Sequence, residues 1–361
     1  MTDEVRSKEA RVPDEAQVPG AIPHLAVGAG GEPPGKPAQR FDEERAGRVR
    51  ALIAAPSRQG DRVFRVLVNL FALAILGLAA LTLWELIVNA RPLIARDGLG
   101  FIWNNVWDVG RNLYGGRPFL IGTVISSGIA VLLAVPVALG GALFVTELSP
   151  SWLRRPISNL VELLAAVPSI AYGFWGLVVL APFMRDTIDP VLIKVLGWTG
   201  LFDKPDVGLS LWTAGVVLAI MILPIIASIS REVFTAVPRD QREAALGLGA
   251  TRWEMIRMAV LPYARSGVVG AIVLGLGRAL GETMAIVFVI GNAIQFKGNL
   301  LAPGTSVTAH IANTFQEVST AGFGLAALLY LALVLFVVTL AVNIAARQLV
   351  AHQQRIMGGT R

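Results

Sequence analysis

Hydrophobic and polar positions in this 361-residue chain fall into long blocks rather than short alternations. Six apolar runs lie near 66–88, 119–146, 159–183, 208–230, 267–290 and 322–346. Each is long enough to cross a bilayer as a helix. Runs one, two, four and six carry no charge across their centres. Run three carries Glu162 near its start, and run five carries Arg278 and Glu282 in its middle. The pattern predicts an all-α polytopic membrane protein with six transmembrane helices. Pro136, Pro168 and Pro224 sit inside runs and predict kinks whose freed backbone groups are satisfied by neighbouring helices.

The polar blocks divide the chain. Residues 1–60 are rich in Pro, Gly and charge, and 12–37 is dense in helix breakers, so this tail is expected to be disordered. Within it, 41–54 (FDEERAGRVRALIA) has the pattern of a short amphipathic helix at a membrane surface. A membrane domain over 61–350 and a short polar tail over 351–361 follow. The first apolar run starts too far along the chain for a cleaved signal peptide. The loops at 98–117 and 185–207 carry Trp103, Trp107, Tyr114 and Trp198. These serve either as interfacial aromatics or as a docking surface for an external partner.

Composition agrees with a membrane chain: 54% hydrophobic, 16% charged, mean hydropathy +0.63. The net charge of +6 fits cytoplasmic anchoring rather than nucleic-acid binding. With the N-terminus placed inside, Arg and Lys on inside segments outnumber those on outside loops by about two to one, which predicts both termini in the cytoplasm. No Cys is present, so disulfides and thiolate chemistry are excluded. His24, His310 and His352 form no metal or triad pattern, and no cofactor or catalytic residue is expected. No P-loop occurs: the Gly35-Lys36 pair is followed by Pro37.

Two stretches carry candidate chemistry. In 236–262, Pro238 stops the fourth run. A short helix then bears Glu243, Ala244 and Ala245, and Gly247 and Gly249 permit a bend. Thr251 caps a second helix with Glu254 three residues on, Met255, Met258 and Ala259 share a face, and Leu261-Pro262 ends it. Helix–bend–helix is a knob suited to a groove in another protein; the bland alternative is a solvated connecting loop. In run five, Arg278 lies roughly 18 Å deep by helix rise. An unpaired charge there costs at least about 2.5–3.5 kcal/mol. Glu282 at i+4 is placed to pair with it, Gly277 and Gly281 form a small face for a neighbouring helix, and a guanidinium left partly available binds oxyanions. The alternative is an ion pair that only locks helices together.

The spacing Glu243-Ala244-Ala245, Gly249, Leu261-Pro262 resembles the EAA loop of permease subunits of type I ABC importers. It departs from that pattern at Ala259, where Ile is usual. The strings Gly277–Ala285 (GRALGETMA) and 164–176 (LAAVPSIAYGFWG) are similar to the C-type permease subunits of phosphate-specific Pst importers, over about residues 60–350. The resemblance implies ATPase coupling through Glu243, Ala244, Ala245, Gly249, Leu261 and Pro262. It implies a substrate pathway at Arg278, Glu282 and Thr283. It further implies a PstA-like sister permease, a PstB-like ATPase dimer and a PstS-like extracytoplasmic phosphate-binding protein, with phosphate as cargo. A sulfate or molybdate importer shares the loop. A secondary transporter would show inverted repeats and interrupted helices, and no convincing repeat is visible.

Overall fold

The computed structural model describes residues 58–358, except 205–206, 297 and 319–322, with side chains described over 60–348. The expected disorder of the tail and the 41–54 helix lie outside the described residues. The chain divides into two units, 1–73 and 74–361. The described part of the first belongs to helix α1, Arg58–Asp97. Its apolar side chains, among them Leu70, Phe71 and Leu73, are exposed, as the lipid-facing side of a membrane helix would be.

In the second unit the described elements are helical, joined by loops with two isolated β-bridges. Helix α2 runs Arg117–Leu148, α3 Ser151–Ala166, α4 Ser169–Thr199 and α5 Leu211–Thr235. Then come α6 Arg239–Gly247, α7 Arg252–Gly281, α8 Met284–Val289, α9 Val307–Thr314 and α10 Gly324–Gly358. Among the described residues, five helices (α1, α2, α5, α7 and α10) are long and apolar enough to cross a membrane, and the bent pair α3–α4 makes a sixth span if taken together.

Run three is therefore not one straight helix. Val167 and Pro168 adopt extended backbone, and α3 meets α4 at 88°. Proline disfavours the helical conformation in the residue before it, which ends α3 there. Pro136 and Pro224, by contrast, lie inside α2 and α5. Arg231 of α5 reaches Glu162 of α3 at 3.2 Å, so the carboxylate of run three is tied to a neighbouring helix.

Small side chains decide how the helices meet. Along α2, Gly122, Ser126, Ala130, Ala134, Ala138 and Ala142 recur every fourth residue, and all are buried. This ridge lets the α5 backbone come close, packing driven by van der Waals contact rather than hydrophobicity. In α7 the same role falls to Gly267, Ala271 and Gly275, where a Cβ at either glycine would press on Val233 or Ile226 of α5. Gly277 and Gly281, expected to make such a face, have nothing within 4 Å of an added Cβ and stay open. An added Cβ at Gly122 would run into the Thr305 carbonyl oxygen, which is backbone and cannot swing away. Gly122→Ala should therefore destabilise the folded chain by about 1–3 kcal/mol, read as a lower midpoint of thermal unfolding in detergent.

Clusters sit at both ends of α2. Around Phe119 at its start, Leu93, Phe101, Tyr114, Tyr330 and Leu331 pack together. Tyr330 stacks on Phe101 and its hydroxyl donates to the Gly98 carbonyl at 2.9 Å. Tyr114 is thus a core residue, and Trp107 packs edge-on against Tyr114 and Phe119; Trp103 and Trp198 are exposed. Around Ala142 near the other end, Phe234, Val237, Met255, Ile256 and Val260 form the cluster on which the polar 236–262 stretch is built.

Candidate coupling loop and mid-helix break

The 236–262 stretch folds as helix, bend and helix. Helix α6 carries Glu243 and Ala244 exposed, while Ala245 packs against the Phe234 cluster. It ends in a Schellman motif: Gly249 N–H donates to the Leu246 carbonyl and Ala250 N–H to the Ala245 carbonyl. That motif needs a left-handed residue after the cap, and Gly249 supplies it at φ +84°. Gly247 is an ordinary helical residue. Thr251 and Glu254 form the reciprocal capping box, the Glu254 carboxylate accepting from Thr251 N–H at 2.8 Å and the Thr251 hydroxyl from Glu254 N–H at 3.3 Å.

Beyond the cap the structure departs from expectation twice. Met255 and Ala259 are buried but Met258 is exposed, so the three do not share a face. Nor does Leu261-Pro262 end the second helix: α7 runs without interruption from Arg252 to Gly281. A widened turn over Ile256–Val260, closed by Leu261 N–H on the Ile256 carbonyl, admits Pro262 at the first turn after it. Such a turn relieves the clash a proline ring makes with the preceding helical turn. The loop is therefore fused to a membrane-length helix.

The exposed side of the knob is more apolar than its polar surroundings suggest. Leu248 is 90% exposed, and Leu246 and Trp253 also face outward beside Gly249. Sequence reading centred on the EAA spacing passed over these three; an apolar residue on either side of a bend in a charged segment is the signal that would have found them. Three large apolar groups thus stand exposed around one bend.

The second site is a helix break. Helix α7 stops at Gly281 because Glu282 takes extended backbone, φ −70° and ψ 132°. Glu282 is thus not on the Arg278 face, and the expected i,i+4 ion pair does not form. The Glu282 side chain is buried, its carboxylate accepting from Ala285 N–H at 3.3 Å at the start of α8. Its carbonyl accepts from the Thr308 hydroxyl at 2.6 Å, which fixes α9 against the break. Thr283 and Thr308 open onto a groove of about 420 Å³ with Leu86, Phe336 and Thr339. Arg278 lies on the exposed side of α7 with Leu274 and Gly281, and no hydrogen bond or ion pair to it occurs among the described residues. It sits in the last turn of α7, where the helix dipole favours a cation. Of the three pathway candidates, the structure therefore places one guanidinium outward, one carboxylate inward as a cap, and one hydroxyl on a separate groove.

Opposite the knob, at the Arg117 end of α2, a cavity of about 840 Å³ is lined by Trp107, Asp108, Arg117, Gln295, His310 and Thr314 among others. The 32 residues of α2 separate the two ends, about 48 Å at helical rise.

The profile of the family described as binding-protein-dependent transport system inner membrane component matches residues 130–351. The phosphate transport system permease protein PstC of Haemophilus influenzae is 46% identical over 302 residues, covering 82% of this chain and 95% of that protein. The protein of the same name from Pasteurella multocida is 44% identical, with 82% and 94% covered. Among solved structures, a bacterial alginate ABC transporter in complex with its alginate-bound periplasmic protein has a chain that aligns with TM-score 0.50 at 17% identity, covering 81% of this chain and 96% of that one. That last likeness speaks to the fold alone.

Proposed function

The chain belongs to the binding-protein-dependent transport system inner membrane component family, and from that premise we propose that it is the permease subunit of an ATP-driven importer of inorganic phosphate. The observation that carries the cargo assignment is the likeness to relatives named for phosphate transport over most of both chains. The chain has no P-loop of its own, so hydrolysis resides in a separate ATPase. The exposed Leu246, Leu248 and Trp253 around Gly249 are the surface offered to it, in the cytoplasm, with both termini on that side. A sister permease faces the open side of α7 at Gly277 and Gly281. A phosphate-loaded binding protein docks at the opposite, Arg117 end.

Mechanistically, closure of the ATPase pair displaces the knob. Because the second knob helix is continuous with α7, the displacement moves α7 and the Arg278 at its far end. Phosphate passes between the two permeases, its charge compensated in transit by the outward guanidinium, which matches phosphate oxygens bidentately. Held weakly and in more than one place, the ion leaves as readily as it enters. Interrupted helices at Pro168 and Glu282 are also what a secondary transporter displays. Family membership and the docking knob favour the ATP-driven reading.

Labelled-phosphate uptake tests this in cells lacking their own phosphate permease, with this chain and its cognate partners supplied. Uptake that requires this chain, is energised by ATP and persists in excess sulfate is expected. Uptake suppressed by sulfate would reassign the cargo to another oxyanion. No dependence on ATP would overturn the importer class.

A further inference from the structure

One part-buried charge pair at the knob has no role in the spacing described above. Arg242, the residue before Glu243, turns back toward the membrane end of the loop. Its guanidinium donates to the Glu147 carboxylate at 2.9 Å, to the Phe234 carbonyl at 2.7 Å and to the Val237 carbonyl at 2.6 Å. The Arg242 side chain is 18% exposed and that of Glu147 6%. Glu147 belongs to the final turn of α2, and Phe234 and Val237 lie at and just beyond the end of α5. Both helices present their negative ends here, and a carboxylate at such an end is repelled unless a cation compensates it. One guanidinium thus ties the Glu147 carboxylate at the end of α2 to two carbonyls at the end of α5, beside the closely packed Phe234 cluster.

We infer that Arg242 is a positioning residue, the joint that converts displacement of the coupling knob into movement of α2 and α5. This rests on the coupling reading above and adds a second transmission route. The fusion of the knob to α7 drives one helix; the Arg242 joint engages the two helices that form the small-residue interface. The chemistry suits a joint better than a contact. Arg242 is turned inward, whereas the docking surface is made by Leu246, Leu248 and Trp253. Its planar fork reaches three acceptors from fixed directions, so the loop helix cannot rotate without dragging all three. Truncating one partner of such a pair leaves the other buried and uncompensated, so the joint is held or lost as a unit.

The test uses the assembled complex in lipid vesicles, with the phosphate-binding protein outside, and reads phosphate taken up, ATP hydrolysed and ATPase retained on the permease. Arg242→Lys keeps the charge but offers a single point in place of the fork, and phosphate moved per ATP should fall about fivefold. Glu147→Gln keeps an acceptor for Arg242, and the ratio should fall about twofold. Both should retain the ATPase. A wild-type ratio in both variants would overturn the joint. So would loss of bound ATPase in proportion to uptake, which would make Arg242 part of the docking surface. Should Arg242→Lys fail to accumulate, Glu147→Gln decides by the same ratio. The wild-type complex separates the two ideas: no uptake there overturns the function and the joint with it, whereas normal wild-type uptake with unchanged variants overturns the joint alone.

Discussion

Gly249→Arg should reduce phosphate uptake to background, about a hundredfold below the parent chain, while the protein still accumulates in the membrane. Two effects add. Gly249 holds the left-handed position of a Schellman motif, and a residue with a Cβ resists that conformation at a cost of about 1 kcal/mol. An Arg side chain also stands up between Leu246, Leu248 and Trp253, the apolar groups offered to the ATPase. Nothing among the described residues lies within 4 Å of an added Cβ, so apart from that backbone strain the loss arises at the partner. Gly249→Asn separates the two effects, because Asn tolerates left-handed backbone and adds little bulk. It should keep a measurable fraction of uptake. Co-purification of the ATPase with each variant checks the argument: both uptake and ATPase binding intact in Gly249→Arg would remove this loop from coupling.

The knob was largely legible in the sequence because its signals are local. A proline stop, a glycine bend and a Thr251–Glu254 capping box each act within a few residues, and the structure has all three. What was not legible depends on neighbours. The Met255, Met258 and Ala259 face was read with a 3.6-residue period, and the widened turn at Ile256–Val260 shifts that register so that Met258 points outward. The same turn hides the continuity of α7 through Pro262. Run five read as one helix because it holds no proline, and its five glycines are tolerated in a membrane helix. The break at Glu282 is stabilised from elsewhere, by the Thr308 hydroxyl on its carbonyl, 26 positions along the chain. Likewise the Arg242–Glu147 contact spans 95 positions, and no spacing rule reaches that far.

The break changes what the Arg278 charge is expected to do. With Glu282 turned into the chain as a cap for α8, an internal lock between Arg278 and Glu282 no longer accounts for the guanidinium. An arginine without a partner deep in a membrane protein is expensive, and it is tolerated where it meets a helix C-terminus, a neighbouring chain or a passing anion. The first of these is present in this chain, since Arg278 sits in the last turn of α7. The other two would meet it on its open side. If the anion is the reason, Arg278→Gln should lower phosphate uptake about a hundredfold, comparable to removing a preorganised charge-stabilising donor. Assembly with the sister permease and ATPase should be unchanged. Arg278→Lys should recover part of the rate, because a point charge still attracts phosphate though it cannot bind two oxygens at once. Glu282→Gln should behave differently: an amide oxygen still accepts from Ala285 N–H, so the cap survives and uptake falls only a few-fold. Equal loss in Arg278→Gln and Glu282→Gln would restore the paired reading, with the two side chains meeting in another conformation of the transport cycle. Full uptake in Arg278→Gln would move the charge compensation off this chain and onto the sister permease.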